Sequence, residues 1–176
     1  PALPSFKEKW GINGAVISAV DLIKGIGLCA DMEVINVDGA TGNYSTNYTG
    51  KAEAAIDAFR RGNDLVYVHV EAPDECGHRG EIQNKVKAIE LIEQRTFTTL
   101  YDYLLGCGDD FRILIMPDHP TPLEIMTHSS EPVPYLLYDS SKNLGGVEAF
   151  TEREAAATGN FVEHGPDIME KLLQKL

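Results

Sequence analysis

Short apolar segments of strand length alternate with segments of helical periodicity along this chain of 176 residues. The segments with strand length and β-branched or aromatic content are residues 15–19, 32–37, 64–70, 111–116 and 133–138. Helices are predicted over residues 51–61, 81–105 and 167–176 from helical spacing of apolar residues and from helix end signals. Residues 38–50 have the composition of a long loop. Strands that alternate with helices in this way pair in parallel, with helices on both faces. The alternation therefore predicts an α/β fold, a three-layer αβα sandwich with a mostly parallel sheet.

Two segments carry a further prediction about packing. Residues 111–116 (FRILIM) are almost continuously apolar, which is typical of a strand buried on both faces. Residues 81–105 have apolar side chains at helical spacing, and these are Ile82, Val86, Ile89, Phe97, Leu100 and Leu104. The spacing predicts one long amphipathic helix.

Charge and cysteine content exclude several classes of protein. The 15 basic and 27 acidic residues give a net charge of −12, which opposes binding to nucleic acid or to an anionic membrane. Three cysteines without a CxxC pair fit a reducing cytoplasm better than a disulfide framework. The chain has no secretory signal and no run of eighteen apolar residues, and its first residue is Pro rather than Met, so we expect part of a longer protein. An acidic protein that handles an anionic substrate needs local cations.

Side chains that bind metals follow the predicted strands at their carboxyl ends. Asp74 and His78 follow residues 64–70, Asp118 and His119 follow residues 111–116, and His128 lies on the same loop before the next strand. Because ligands bind where parallel strands end, we expect these five side chains to converge. Asp74 and His78 are four residues apart, so one helical turn would place them on the same side. Carboxylate with imidazole favours Zn²⁺ or Mn²⁺ over Mg²⁺ alone.

Simpler interpretations apply to other residues of the same types. A single Asp-His pair after a strand is more often a turn or a helix cap than a metal site. His69 alternates within its strand and is interpreted as a packed or hydrogen-bonded histidine, and His164 as a loop residue. Cys76 is interpreted as a small buried side chain. The convergence of several ligands at one edge of the sheet is what favours a metal site.

At these residues the sequence resembles a known family. D-x-x-x-H at Asp74 and His78, D-H at Asp118 and His119, and T-H at His128 are similar to the metal signature of the alkaline phosphatase superfamily. The blocks SFKEKWGINGAVISAVDLIKGIG, GATGNYSTNYTGKAEAAIDAF, VYVHVEAPDECGHRG and PDHPTP resemble the archaeal-type, cofactor-independent (2,3-bisphosphoglycerate-independent) phosphoglycerate mutases. The resemblance extends over nearly the whole chain and implies an alkaline phosphatase-like fold.

The resemblance implies two metal sites. In the family, an Asp and two His hold one ion, and they correspond here to Asp74, His78 and His128 (site 1). An Asp-His pair matching Asp118 and His119 (site 2) holds the second ion together with an Asp and a nucleophilic Ser. The implied cofactors are two divalent ions, with Mn²⁺ first and Zn²⁺ or Mg²⁺ as alternatives, and no 2,3-bisphosphoglycerate.

The resemblance also implies a catalytic lysine and shows one departure. Lys24 in DLIKGIG matches a lysine that neutralises phosphate charge, and a solvated helix lysine is the equally open alternative. The family's nucleophilic Ser, its Asp partner and an inserted substrate-binding domain have no counterpart here, and none of Ser5, Ser18, Ser45, Ser129 and Ser140 lies in a setting expected of the nucleophile. Residues 1–176 are therefore expected to be the C-terminal part of the metal-binding, phosphatase-like domain, and to be inactive alone.

The implied activity of the intact protein is isomerisation of 3-phosphoglycerate and 2-phosphoglycerate in glycolysis through a phosphoserine. Its partner would be this small phosphorylated substrate, with no nucleic acid and no membrane. Another phosphomutase or a phosphatase of the superfamily is an alternative, because the metal ligands do not separate these enzymes. A metal-binding domain without catalysis is an alternative of a different class.

Overall fold

The first three strands of the chain, between residues 14 and 68, form a parallel sheet. In the computed structural model, which describes residues 3–142 and 145–173, its strands are β1 (Gly14–Ile17), β2 (Glu33–Ile35) and β3 (Leu65–Val68). Their order is β2-β1-β3, so β1 is the central strand. Val16 pairs with Val34 on one side and with Tyr67 on the other. The prediction of an α/β fold with parallel strand pairing is confirmed.

Helices connect the strands and cover the sheet. They are α1 (Phe6–Trp10), α2 (Asp21–Cys29), α3 (Tyr48–Arg60), α4 (Ala72–His78), α5 (Ile82–Leu91), α6 (Thr98–Cys107), α7 (Glu152–Ala157) and α8 (Asp167–Leu173). The start predicted for α3 was three residues too late, because the Asn47 side chain accepts a hydrogen bond from the Gly50 backbone N–H and caps the helix earlier. The end of the last predicted helix, residues 174–176, lies outside the described residues. Within the described ranges, no helix combines the length and apolar character needed to cross a membrane.

The predicted long helix runs in three parts. A π-helical stretch, Ile92–Phe97, joins α5 to α6. The apolar stripe of an amphipathic helix usually packs against the protein, but Ile82, Val86 and Ile89 are 61%, 53% and 54% exposed. The face that packs is instead the one carrying Ala88, which is buried with Tyr48 and Ala72. Periodicity identifies a stripe, but packing against α3 and α4 selects which stripe is buried.

The last two strands form a separate antiparallel pair. β4 (Arg112–Ile115) pairs with β5 (Leu136–Asp139), which corrects the expectation of parallel pairing for this segment. β5 begins three residues later than predicted, because Pro134 has no N–H to donate to a ladder. β4 is half-buried rather than buried on both faces. Arg112 lies 2.8 Å from Asp139 and ties the start of β4 to the end of β5.

The core aligns the carboxyl ends of β1 and β3. Ala15, Val16 and Ile17 are buried, and the alanine face of α3 packs over the sheet. The His69 N–H donates to the Ile17 carbonyl at 2.8 Å, directly beyond the ladder of these two strands. The segment that carries Asp74 and His78 therefore begins at the end of the parallel sheet, whereas Asp118, His119 and His128 follow β4 of the antiparallel pair.

Candidate metal centre

Asp74 and His78 lie on α4, which follows β3 after a short turn. Pro73 occupies the first turn of this helix, a position that tolerates its missing N–H. His78 Nε2 lies 3.4 Å from Asp74 Oδ2. The prediction that one helical turn places these two side chains on the same side is confirmed.

The backbone of the loop after β4 orients the His78 ring. His78 Nδ1 lies 3.0 Å from the Met126 carbonyl oxygen, and a carbonyl only accepts hydrogen bonds, so Nδ1 is the donor. In the neutral ring this leaves a lone pair on Nε2. A carbonyl that holds the far nitrogen of a histidine is the usual support for a metal-binding imidazole.

His128 completes a three-residue group with Asp74 and His78. His128 Nε2 lies 3.0 Å from His78 Nε2 and 3.3 Å from Asp74 Oδ1. Two ring nitrogens at this distance repel unless a proton or a metal cation lies between or beside them. A hydrogen on His128 Nε2 that points at His78 Nε2, or a metal cation beside both rings, satisfies this contact.

Asp118 and His119 lie beside this group. His119 Nε2 is 3.3 Å from Asp118 Oδ2, and its Nδ1 is 4.0 Å from Asp74 Oδ1. The His119 ring lies against the His128 ring, with a centroid distance of 3.7 Å and an angle of 35° between the ring planes. The structure therefore brings together all five side chains that the sequence predicted as ligands, from α4 and from the loop between β4 and β5.

The donor set fits divalent metal ions. The ligand atoms of Asp74, His119 and His128 all lie within 4.8 Å of one another, with His78 and Asp118 adjoining them. Three imidazoles and two carboxylates suit Mn²⁺ or Zn²⁺, whereas Mg²⁺ prefers oxygen ligands. These residues could hold the ions that the sequence predicts.

Several supporting residues were not identified from the sequence. Thr121, which is only 5% exposed, donates its hydroxyl to Asp74 Oδ1. Lys85 on α5 donates to the Thr121 carbonyl at 2.7 Å, and burial lowers the pKa of its ammonium group. Glu71 lies close to Asp74, and burial, with the neighbouring carboxylates, raises its pKa. Thr121 lies within the PDHPTP block, but nothing in the sequence pattern indicates that this threonine contacts a candidate ligand.

A buried lysine supports the end of β3 next to the candidate ligands. Lys51 on α3 has no exposed surface, and its Nζ donates to the His69 carbonyl at 2.7 Å. Burial lowers its pKa to about 8. The sequence indicates only a helical position for Lys51, because a lysine in such a segment is ordinarily solvated.

The remaining residues singled out from the sequence lie apart from the five ligands. His69 Nδ1 lies 3.0 Å from Ser18 Oγ, which confirms a hydrogen-bonded histidine. Cys76 is fully buried, as predicted, and His164 lies in an exposed loop. Lys24 forms an ion pair with Asp21 at 2.8 Å on α2, and within residues 3–142 and 145–173 no hydrogen bond or ion pair joins it to the five ligands.

Comparisons with known proteins give the chain a family context. The family model of the metalloenzyme superfamily matches residues 1–176. A 2,3-bisphosphoglycerate-independent phosphoglycerate mutase of Methanothrix thermoacetophila is 46% identical over 173 residues, which cover 98% of this chain and 44% of that protein. The chain therefore spans less than half the length of this curated relative.

Two solved structures have a similar fold. A Pyrococcus horikoshii protein superposes with a TM-score of 0.79 at 33% identity, covering 98% of this chain and 52% of that one. The cofactor-independent phosphoglycerate mutase of Thermoplasma acidophilum superposes with a TM-score of 0.68 at 26% identity, covering 99% of this chain and 40% of that one. Both similarities extend over nearly the whole of the chain.

Proposed function

This chain belongs to the metalloenzyme superfamily, and we propose that the protein containing it interconverts 3-phosphoglycerate and 2-phosphoglycerate without 2,3-bisphosphoglycerate. The observation that carries the proposal is the convergence of Asp74, His78, Asp118, His119 and His128 at one edge of the fold. The names of the Methanothrix and Thermoplasma proteins support the choice of substrate.

Two groups of ligands would hold two divalent ions. Asp74, His78 and His128 form the first group, and Asp118 with His119 forms part of the second. Bound ions of this kind, Mn²⁺ first with Zn²⁺ and Mg²⁺ as alternatives, would supply charge that attracts a phosphate and lowers the pKa of a hydroxyl nucleophile. The net charge of −12 makes such local cations necessary for an anionic substrate.

The proposed reaction is a phosphoryl relay through a serine. The serine oxygen bonds to phosphorus as the bond to the 3-oxygen of phosphoglycerate breaks, and the same phosphoryl group then returns to the 2-oxygen. No serine hydroxyl in the described part of the chain is hydrogen-bonded to the five ligands. We place the nucleophile in a part of the protein outside residues 1–176, of which these residues would form the C-terminal, phosphatase-like metal-binding portion.

The role of this chain's own residues in the relay is binding and orientation. The Met126 carbonyl and Thr121 hold the ligand side chains, and Lys24 is proposed to contact the transferring phosphoryl group. Lys24 lies on α2, which follows directly from the carboxyl end of β1. The partner is a small phosphorylated substrate, in the cytoplasm, with no part for nucleic acid or membrane.

The test is conversion of 3-phosphoglycerate by the whole purified protein with Mn²⁺ and without added 2,3-bisphosphoglycerate. We expect 2-phosphoglycerate as the product in ³¹P NMR spectra, and no conversion by residues 1–176 alone. Inorganic phosphate as the main product would replace the mutase with a phosphatase. Metal binding without turnover of any phosphate ester would favour a metal-binding domain without catalysis.

A further inference from the structure

The Thr121 hydroxyl lies between the two groups of candidate ligands. Its Oγ1 donates to Asp74 Oδ1 and lies 3.4 Å from His119 Nδ1. A threonine hydroxyl has one hydrogen and can otherwise only accept. Because that hydrogen is committed to Asp74, the contact with His119 requires a hydrogen on Nδ1.

We propose that Thr121 is a positioning residue that separates the two metal sites, an inference that rests on the metal-dependent function proposed above. With Nδ1 protonated, the free lone pair of His119 is on Nε2, which lies 3.3 Å from Asp118 Oδ2. His119 therefore offers its lone pair to the same metal site as Asp118, which is site 2. Asp74 then belongs to site 1, together with His78 and His128.

The opposite arrangement is sterically close, which is why a selecting group is needed. His119 Nδ1 lies only 4.0 Å from Asp74 Oδ1, and the two residues with His128 form a compact potential site. If Nδ1 carried the lone pair, His119 would join Asp74 and leave Asp118 without its imidazole partner. The Thr121 hydroxyl opposes this arrangement, because it donates to Asp74 and accepts a hydrogen bond from His119 Nδ1.

Thr121 is itself fixed from two sides. Lys85 Nζ donates to its carbonyl at 2.7 Å. A Cβ placed on Gly77 would lie 2.7 Å from the same carbonyl and 2.8 Å from the Thr121 methyl group, so only glycine permits α4 to lie this close. α4 also carries Asp74 and His78, and the contact therefore sets their distance from the loop that carries His119.

Thr121 supports the ligands and does not react. It is 5% exposed and its hydroxyl hydrogen is already bonded to a carboxylate. Groups that orient metal ligands in this way typically change metal affinity about 10- to 100-fold when removed.

The experiment compares Thr121→Val with Thr121→Ser in the whole protein. Mn²⁺ binding to the metal-free protein is measured by calorimetry, and the histidine tautomers are measured by ¹⁵N NMR after labelling with ¹⁵N-histidine. We expect Thr121→Val to weaken Mn²⁺ binding about tenfold or more and to reduce the Nδ1–H form of His119. Thr121→Ser keeps the hydroxyl and should retain both properties.

Thr96→Val is the matched control. Thr96 is also 5% exposed, and its hydroxyl donates to the Tyr48 carbonyl at 3.1 Å, away from the candidate ligands. This variant should lose stability without a change in Mn²⁺ affinity or in the His119 tautomer. If Thr121→Val does not fold, Thr121→Ala replaces it, because the smaller side chain removes the hydroxyl without adding atoms.

The outcomes separate this inference from the proposed function. Unchanged Mn²⁺ binding and an unchanged His119 tautomer in a folded Thr121 variant would overturn the role of Thr121. Absence of Mn²⁺ binding by the unmodified protein would overturn the proposed function instead. In that case the His119 tautomer, measured in the metal-free protein and in Thr121→Val, still decides whether Thr121 keeps the hydrogen on Nδ1 of His119.

Discussion

His78 Nε2 lies 3.0 Å from His128 Nε2, although fifty positions separate the two residues in the sequence. Helix α4 places one ring, and the loop after β4 places the other. The Met126 carbonyl, only two positions before His128, holds the far nitrogen of His78. The loop therefore both supplies His128 and orients His78. The two Nε2 atoms can lie this close only with a hydrogen between them or a cation beside them.

Removal of one imidazole should remove one ion. We expect His128→Ala in the whole protein to bind about one divalent ion fewer per chain, because Asp74 and His78 alone are too few ligands for a stable site. Metal content after dialysis, measured by mass spectrometry, checks this. His164→Ala is the control, since that histidine lies in an exposed loop. Equal metal content in both variants would remove His128 from the site.

Lys24 should affect turnover of the whole protein. Loss of a cation that contacts a transferring phosphoryl group typically costs about 10²-fold in rate, so Lys24→Ala should lower kcat by a factor of this order. Lys87→Ala is the matched control, because Lys87 also pairs with a carboxylate three residues away on a helix, at 3.1 Å. Normal turnover of Lys24→Ala would return this residue to a solvated helix lysine.

Two glycines of α2 should respond in opposite directions to alanine. A Cβ on Gly27 would lie 3.0 Å from the Val16 side chain and 3.2 Å from Val34, whereas a Cβ on Gly25 would meet no atom within 4 Å. Gly27→Ala should therefore lower the free energy of unfolding by about 1 kcal/mol. Gly25→Ala should raise it by roughly 0.5–1 kcal/mol through helix propensity. Urea unfolding measures both, and equal shifts would contradict the packing of α2 on β1.

The buried Lys51 should make stability depend on pH above neutrality. Burial lowers its pKa from 10.5 to about 8, so the unfolded chain binds more protons than the folded chain between these values. The free energy of unfolding contributed by Lys51 is therefore lowest below pH 8 and rises as pH increases toward 10.5. From pH 7 to pH 10 the unmodified protein should gain roughly 1–3 kcal/mol relative to Lys51→Met.

Urea unfolding at several pH values tests this expectation. Lys87→Met is the control, because Lys87 is exposed on α5 and its replacement should leave the pH dependence unchanged. Parallel stability curves for the unmodified protein and Lys51→Met would show that Lys51 keeps an ordinary pKa in the folded state.

Local pattern was sufficient for the positions of the strands, for three of the helical segments and for a set of candidate ligands. Apolar segments of strand length indicated the five strands of the described residues, and polar residues at strand ends indicated the candidate ligands Asp74, His78, Asp118, His119 and His128. Both depend on residues close in sequence, since β-periodicity and the position of strand ends are local properties. The pairing of β5 with β4 was the error in topology, because strand direction depends on how the connecting loop returns.

Tertiary structure alone decided how the ligands are held and which surfaces are buried. Met126 contributes a backbone carbonyl, which any residue possesses, and Thr121 and Lys85 meet only because α5 packs beside α4. The exposure of the Ile82 stripe has the same origin, since several faces of a helix can satisfy one periodicity. Contacts of this kind join groups 36 to 48 residues apart, and their geometry depends on packing of the whole fold rather than on any local pattern.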